Sequence, residues 1–209
     1  VDRRQRQMCI RDSFKGQGRY DSFTYPQSGF CFLDNGRLRV SKVGDIKIKL
    51  HRPIEGKIKT LTLRRDRCGN WWAMFSCKVE IEPQAPTSAI VGIDLGLSSI
   101  ITTSEGMKIN PPRFFRTGEK RLAKAQRRLD KYEIGTKERT RHKFIVANIH
   151  RKIANRRADF NHKLARQLIN DYDVICYEDL RVSKMVHNHR LAKSIMDAAW
   201  TQLVEFTQY

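Results

Sequence analysis

The chain has 209 residues, with 41 Lys and Arg against 22 Asp and Glu, which gives a formal net charge of +19 at pH 7. Hydrophobic residues at 40% and aromatic residues at 9% exclude a disordered basic tail, and the length suffices for one large domain or two small ones. No apolar stretch approaches the roughly 20 residues of a membrane span, and no secretory signal is present. A folded, strongly basic chain favours a polyanion as partner, nucleic acid first.

The five cysteines are scattered and form no C-x-x-C pair. This pattern excludes a disulfide framework or zinc knuckle within the chain. It favours reduced thiols in a cytosolic protein.

Both ends predict a fragment. Residues 1–13 have neither helical nor strand periodicity, so they stay unassigned and fit either a flexible arm or foreign sequence joined to a partial gene. Near the other end, Ile195, Ala199, Leu203 and Phe206 predict one helical stripe that still runs when the sequence stops at Tyr209.

The first part of the chain predicts β-structure. Residues 46–50 alternate apolar side chains with lysines, as in a half-buried strand. Apolar residues also alternate with other residues over 61–64 and over 73–81, and the segment between them, 66–70, consists of residues typical of turns. This pattern predicts a β-hairpin in a small barrel or sandwich. The segment 82–86 contains two prolines and predicts a linker into a second domain.

The second part predicts an α/β order. Residues 90–95 and 100–103 have strand character, helical periodicity begins near Thr117, Gly135 breaks it, and Asp173–Leu180 is another strand. The predicted helical stripes are Leu122, Ala125, Leu129 and Tyr132, followed by Ile145, Ile149, Ile153, Phe160, Leu164 and Leu168.

A carboxylate ends each of two predicted buried strands, Asp94 and Glu178. Ligands collect at the carboxyl ends of parallel strands, so these acids converge if the strands are neighbours. Alternation places Glu178 on the face of Val174 and Cys176, and Asp179 on the other. Converging carboxylates repel unless a cation lies between them, and Mg²⁺ prefers such oxygen ligands. Each acid alone fits a turn or helix-capping residue equally well.

Basic residues concentrate in two segments. Residues 1–89 have 18 basic and 9 acidic groups, and residues 116–170 have 17 and 5. We predict that cations of the second segment contact a nucleic-acid backbone, with binding that weakens steeply as salt rises. The predicted contacts are Arg121, Arg127, Arg128, Lys131, Arg151, Arg156 and Arg157.

Four sequence stretches carry a family resemblance. VGIDLGLSSIITTSEG, VICYEDLRVSKM and HRLAKSIMDAAWTQLVEF occur in this order, preceded by GRLRVSKVGDIKIKLHRPIEGKIKTLTLRRDRCGNWWAMFSCKVE. Together they resemble the transposon-encoded OrfB/TnpB proteins, which are RNA-guided DNA endonucleases related to type V CRISPR effectors. The resemblance covers roughly residues 29 to 209.

This resemblance implies a fold and a domain order. Residues 14–85 correspond to part of a β-barrel-like wedge domain, which contacts guide RNA and target duplex in the family. Residues 86–209 correspond to an incomplete RuvC-type RNase H-like domain with long basic helices.

The resemblance also implies an activity. Asp94 and Glu178 match the first and second catalytic acids, which hold Mg²⁺ of the two-metal type for DNA hydrolysis. The family's third acid and zinc ribbon lie beyond Tyr209, so we expect this fragment to be inactive. The implied partners are DNA and guide RNA, without a membrane, in a prokaryotic cytoplasm and associated with the nucleoid when bound to DNA.

Two alternatives stay open. A non-catalytic nucleic-acid-binding remnant or regulator derived from a transposon protein needs the basic faces and not the acid pair, and a transposase predicts strand transfer in place of hydrolysis. His187 and His189 lie too close in sequence for an H-N-H nuclease motif and are expected at the surface. Trp71, Trp72 and Trp200 fit either base stacking or apolar burial, of which burial is commoner.

Overall fold

The computed structural model describes residues 20–80 and 86–208. The chain divides into two compact units, residues 1–82 and 83–209. Residues 82–85 of the predicted linker lie outside the described ranges. Residues 1–13 lie outside the described ranges. Among the helices described, none is both long and apolar enough to cross a membrane.

The first unit consists of two antiparallel three-stranded sheets with the strand orders β1-β5-β6 and β2-β3-β4. Buried side chains of both sheets, Leu38 and Val40 from one and Leu61 and Leu63 from the other, form one core. The described strands therefore pack as a small sandwich and do not close into a barrel. The strands are β1 (Ser22–Pro26), β2 (Phe30–Phe32), β3 (Arg37–Val40), β4 (Gly44–Lys47), β5 (Lys57–Arg65) and β6 (Trp71–Lys78).

The predicted hairpin is present as β5 and β6, whose register pairs Leu63 with Ala73. The strand predicted over residues 46–50 is shorter than expected and ends at Lys47. Lys47 pairs with Arg37, the first residue of β3, so the residues after Lys47 have no strand to pair with.

The second unit contains a four-stranded sheet in the order β10-β7-β8-β9. Strand β8 pairs antiparallel with both β7 and β9, whereas β10 returns parallel to β7 after the long helices. The mixed α/β class predicted from the strand and helix order is thereby confirmed. The strands are β7 (Ile90–Asp94), β8 (Ile101–Thr103), β9 (Lys108–Ile109) and β10 (Val174–Tyr177).

Five helices complete the second unit. They are α1 (Phe114–Asp130), α2 (Lys137–Asp171), α3 (Val182–Met185), α4 (Ala192–Ala198) and α5 (Trp200–Gln208). The side chain of Thr136 caps α2 by accepting the amide hydrogen of Arg139 at 3.2 Å. At 35 residues, α2 is about 50 Å long.

This length lets α2 contribute to two cores. Its first half places Ile149 and Ile153 against Leu122 and Ala125 of α1, which forms a helical hairpin. Its last turns contribute Leu164, Ala165 and Leu168 to the core over the sheet. Tyr132 and Ile145, which the predicted stripes placed on the buried faces, are exposed.

The C-terminal stripe differs from its prediction. Ala199 adopts a left-handed conformation with φ 51° and separates α4 from α5, so the predicted continuous helix is wrong. Residues two positions apart project about 200° apart on a continuous helix. The break at Ala199 lets Ala198 and Trp200 both enter the core, together with Ile195 and Leu203.

Candidate functional site

The two predicted acids lie at one edge of the second sheet. In the parallel pairing of β7 and β10, Ile93 is the register partner of Tyr177. The residues that follow are Asp94, which ends β7, and Glu178, which comes directly after the end of β10. The two acids therefore follow register partners at the carboxyl ends of neighbouring parallel strands, whereas the predicted strand Asp173–Leu180 is shorter than expected.

Both acids also share a face of the sheet. Ile90, Asp94, Val174, Cys176 and Glu178 are all exposed, and the intervening strand positions are buried or half-buried. Since successive strand residues alternate between faces, these side chains belong to the same open face. The face assigned to Glu178 from its sequence neighbours agrees with this burial pattern.

Buried neighbours fix the backbone on either side of Asp94. Ile93 and Leu95 are both buried in the core. Gly96 follows at a close approach of the backbone, where an added Cβ would lie 2.9 Å from the carbonyl oxygen of Ser99. The core thus holds the main chain while the Asp94 carboxylate remains in solvent.

Glu178 has a similar support. Tyr177 before it is half-buried, and its hydroxyl lies 3.2 Å from the Thr207 hydroxyl. Burial raises the pKa of the Tyr177 hydroxyl, so this side chain stays neutral near neutral pH. Leu180 also packs against the core, as Tyr177 does, and the two residues between them, Glu178 and Asp179, are exposed.

The opposite end of the same strand pair has a carboxylate with a different environment. The two oxygens of Asp173 accept the amide hydrogens of Thr87 at 3.1 Å and Ser88 at 2.6 Å. These backbone hydrogen bonds lower the pKa of Asp173. By contrast, Asp94 and Glu178 form no hydrogen bond or ion pair with a side chain in residues 20–80 or 86–208.

The arrangement fits a Mg²⁺ site as part of a larger ligand set. Mg²⁺ is usually held by one or two carboxylates, several waters and substrate phosphates. Asp94 and Glu178 supply two such carboxylates, and neither bonds to another side chain among the residues that the structure describes. No group of three or more His, Cys, Asp and Glu side chains suited to a metal occurs in the described parts of the chain.

The predicted basic contacts lie on the helical hairpin of α1 and α2. Arg121, Arg127 and Arg128 of α1 are exposed, as is Lys131 just after its end. On α2, Arg156 is exposed, while Arg151 is half-buried and donates to Asn148 at 2.9 Å. Five of the seven predicted cations, all except Arg151 and Arg157, are thus exposed on this hairpin.

Arg157 has an internal partner that the sequence did not indicate. Its guanidinium donates to the Asp197 carboxylate of α4 at 3.1 Å, and the side-chain exposures are 23% and 6%. Both Asp197 oxygens also accept the amide hydrogen of Phe115 at 2.9 Å. A contact of Arg157 with nucleic acid stays a prediction, beside its observed role in joining helices.

Asp197 is the residue that the sequence analysis missed. The residue that precedes α1, Arg113, is left-handed and gives no side-chain cap, so Asp197 caps α1 from 82 positions away. An ion pair between α4 and α1 also joins Lys193 to Glu119 at 2.7 Å. In the sequence, the only indication of this role was a single Asp within the predicted C-terminal helix. No local pattern identified the residues that it contacts.

The histidines, tryptophans and cysteines named in the sequence differ in how far they are exposed. His187 and His189 are exposed, as expected. Trp200 is buried, whereas Trp71 and Trp72 are 58% and 41% exposed. The four cysteines in the described ranges are all free: Cys31, Cys68, Cys77 and Cys176.

Comparison with known proteins identifies relatives of this chain. The model of the OrfB family, described as "Probable transposase", matches residues 74–189. A "Putative RNA-guided DNA endonuclease" of Streptomyces pristinaespiralis is 39% identical over 191 residues, which cover 90% of this chain and 47% of the relative. The "Putative RNA-guided DNA endonuclease InsQ" of Escherichia coli strain K12 is 29% identical over 206 residues, 91% of this chain and 51% of the relative.

The chain thus spans about half the length of the curated relatives it matches. The family match covers more than half of the chain and includes both Asp94 and Glu178. This chain therefore belongs to the OrfB family of transposon-encoded proteins.

Proposed function

We propose that this chain is part of a transposon-associated, RNA-guided DNA endonuclease and contributes two carboxylates to its metal-dependent nuclease site. The observation that supports the proposal is the parallel register of β7 and β10, in which Ile93 and Tyr177, the residues directly before Asp94 and Glu178, are partners. In the proposal, the second unit is a RuvC-type RNase H-like domain and the first unit is wedge-like.

Asp94 and Glu178 are the residues that would hold Mg²⁺. When bound, a pair of such ions can activate water and stabilise the leaving oxygen of a phosphodiester. The protein would contribute two carboxylates, and the buried residues next to each acid would hold them in position. Substrate phosphate supplies further oxygen ligands.

The basic hairpin supports the choice of substrate class. Its exposed cations, Arg121, Arg127, Arg128 and Arg156, lie on α1 and α2 of the unit that carries the acids. Contacts of this kind follow the phosphate backbone and position a duplex without reading its sequence. The names of the two relatives make guide RNA and target DNA the proposed partners.

Metal binding by the 209-residue chain tests the acid pair directly. Mn²⁺, which can replace Mg²⁺ and is visible by electron paramagnetic resonance, is titrated into the wild type and the variants Asp94→Ala, Glu178→Ala and Asp179→Ala. Asp179 is the matched control, because it is the next residue and alternation places it on the other face. We expect Asp94→Ala and Glu178→Ala each to weaken Mn²⁺ binding at least about tenfold, and Asp179→Ala to leave it within about twofold.

Equal binding by all four proteins would show that the acid pair holds no metal. The binding-only remnant would then be the better description. Unfolding curves of the four proteins control for loss of the fold.

Cleavage by this chain is expected to be weak or absent, because only two acids converge in the described residues. The assay incubates labelled duplex and single-stranded DNA with the chain and Mg²⁺. Robust cutting that Asp94→Ala abolishes would contradict the expectation of inactivity while supporting the acid assignment.

A further inference from the structure

A lysine shares the open face of the second sheet with the acid pair. In the antiparallel register, Asp94 of β7 is the partner of Thr102 of β8, and Thr102 is in turn the partner of Lys108 of β9. Cross-strand partners project from the same face of a sheet. Asp94, Thr102 and Lys108 therefore form a row across the open face, and Glu178 lies at the Asp94 end of that row.

The burial of these residues agrees with this face. Asp94 and Lys108 are exposed, and Thr102 is half-buried. The register pairs that precede or follow them on the same strands point toward the core: Ile93 with Thr103, and Ile101 with Ile109. Since successive strand residues alternate between faces, the row belongs to the side of the sheet that carries the two acids.

A tight turn fixes Lys108 opposite Thr102. The Thr103 amide donates to the Met107 carbonyl at 2.9 Å, and the Thr103 hydroxyl accepts the Met107 amide hydrogen at 3.1 Å. Gly106 within the turn has φ 89°, a left-handed conformation that glycine adopts without strain. The backbone of the turn therefore determines the position of Lys108, and its side chain needs no partner to stay on this face.

Hydrogen bonds on the other side of the row hold β8 against β7. The Ser104 amide donates to the Gly92 carbonyl at 2.8 Å, and the Ser104 hydroxyl accepts the Gly92 amide hydrogen at 3.2 Å. Ser104 lies two residues after Thr102, and Gly92 lies two residues before Asp94. The register that aligns the acid with the lysine is thus secured next to the acid itself.

Lys108 is a cation without an acidic partner in the described parts of the chain. It forms no ion pair with a side chain in residues 20–80 or 86–208. Neighbouring strands lie about 4.8 Å apart, so the main chains of β7 and β9 are separated by roughly 10 Å. The short side chain of Thr102 lies between Asp94 and Lys108, which leaves the ammonium group available to an anionic ligand.

We propose that Lys108 is a substrate-binding residue of the acid-pair site, where it binds a phosphate of the nucleic-acid strand that lies over the open face. Two carboxylates can attract a phosphate only through a cation, whereas a lysine binds it directly. The row therefore binds a phosphodiester from both ends. The inference rests on the proposed function of Asp94 and Glu178, and it adds a cation that the helical hairpin does not contain.

An alternative role for Lys108 follows from its place in the sheet. β9 is the last strand in the order β10-β7-β8-β9. Lysines on outer strands prevent pairing with another chain. That role predicts self-association when Lys108 is replaced, without any change in phosphate binding.

The experiment measures how tightly the dinucleotide TpT binds next to the metal. Mn²⁺ is bound to the full chain, and the paramagnetic relaxation of the TpT phosphorus nucleus gives the dissociation constant of TpT. Because only TpT close to Mn²⁺ is detected, the cations of the helical hairpin do not contribute to the signal. Lys143 of α2 is the matched control, since it is also exposed but lies on that hairpin.

Lys108→Gln is expected to weaken TpT binding roughly three- to tenfold, through the loss of one charge-assisted hydrogen bond at an exposed site. Lys108→Arg, which keeps a cation for the phosphate, and Lys143→Gln are expected to stay within about twofold of wild type. The Mn²⁺ affinity of Lys108→Gln should rise by no more than about threefold, the Coulomb effect of one charge roughly 10 Å away in water.

Unchanged TpT binding by Lys108→Gln, or an equal loss from Lys143→Gln, overturns the inference. Self-association of Lys108→Gln in sedimentation with unchanged TpT binding assigns the lysine to protection of the outer strand and contradicts the inference as well. So does a Lys108→Gln protein that loses Mn²⁺ as Asp94→Ala does, because the lysine would then support the acids and not the substrate.

The proposed function fails in a different way. Retention of Mn²⁺ by Asp94→Ala and Glu178→Ala overturns that function and, with it, the role of Lys108. Metal binding that depends on both acids, combined with TpT binding that ignores Lys108→Gln, overturns the role of Lys108 alone.

Discussion

The two ends of the β7–β10 strand pair carry acids in opposite situations. At the amino end, the Asp173 carboxylate is fully engaged by the amides of Thr87 and Ser88 and joins the linker side of the unit to the sheet. At the carboxyl end, Asp94 and Glu178 follow the register partners Ile93 and Tyr177, and neither bonds to a side chain in the described parts of the chain. Folding gains from the first arrangement and gains nothing from the second.

This difference separates structural acids from candidate functional ones within one sheet. Hydrogen bonds from backbone amides stabilise a carboxylate, whereas two unpaired carboxylates at adjacent positions repel each other. Asp197, which bonds to Phe115 and Arg157, is a structural acid like Asp173. We expect the same division among the arginines of α2, where Arg157 has a structural partner and Arg156 is exposed.

The largest expected effect is on a buried structural acid. Asp197→Ala leaves the Phe115 amide without its cap and the half-buried Arg157 guanidinium without its counter-charge. We expect the free energy of unfolding to fall by roughly 2–4 kcal/mol, measured by urea denaturation. A loss below about 0.5 kcal/mol would show that the ion pair does not join the helices.

Two neighbouring arginines of α2 sharpen the comparison on the basic side. Arg157→Gln is expected to reduce stability by roughly 1–2 kcal/mol, because its ion pair with Asp197 is largely buried. Arg156→Gln is expected to leave stability unchanged and to lower the slope of log DNA affinity against log salt by about 0.9. Urea denaturation and anisotropy titrations at several salt concentrations measure the two quantities, and the reverse pattern would contradict the division.

The pH dependence of stability tests the Asp173 end of the strand pair. Because the folded-state pKa of Asp173 is lowered, its contribution is complete above the unfolded-state pKa of about 4 and is lost as pH falls through the folded-state value. Asp173→Asn should therefore be less stable than wild type at pH 6, and the gap should narrow progressively below about pH 4. A gap that does not change between these conditions would mean that the ionised carboxylate is not what the Thr87 and Ser88 amides stabilise.

The smallest effect on stability is expected at the candidate metal site. Asp94→Asn and Glu178→Gln remove one charge of a repelling pair and break no contact, so stability without metal should stay within about 0.5 kcal/mol of wild type or rise slightly. Added Mg²⁺ should raise the melting temperature of the wild type more than that of either variant. Destabilisation comparable to that of Asp197→Ala would identify these acids as structural.

Local periodicity by itself determined much of this protein. Alternating apolar residues determined the β5–β6 hairpin, an apolar run determined β7, and the helical repeat determined α1 and most of α2. The strand predicted over Asp173–Leu180 is present but covers only Val174–Tyr177. Parallel pairing of β7 with β10 needed no more than two buried strands separated by long helices, so the position of Asp94 and Glu178 at one edge of the sheet was predictable. The family resemblance followed from the same stretches, because they combine strand, acid and helix in a fixed order.

Tertiary structure alone decided the partners and the exposed surfaces. Asp197 reaches Phe115 and Arg157 across 82 and 40 positions, and no local pattern encodes such a contact. The helix break at Ala199 depends on the tertiary core, which accepts both Ala198 and Trp200 only if the helix is interrupted between them. Trp72 is open to solvent because the sandwich uses only the other face of its sheet, and whether a face is covered depends on where the neighbouring elements pack.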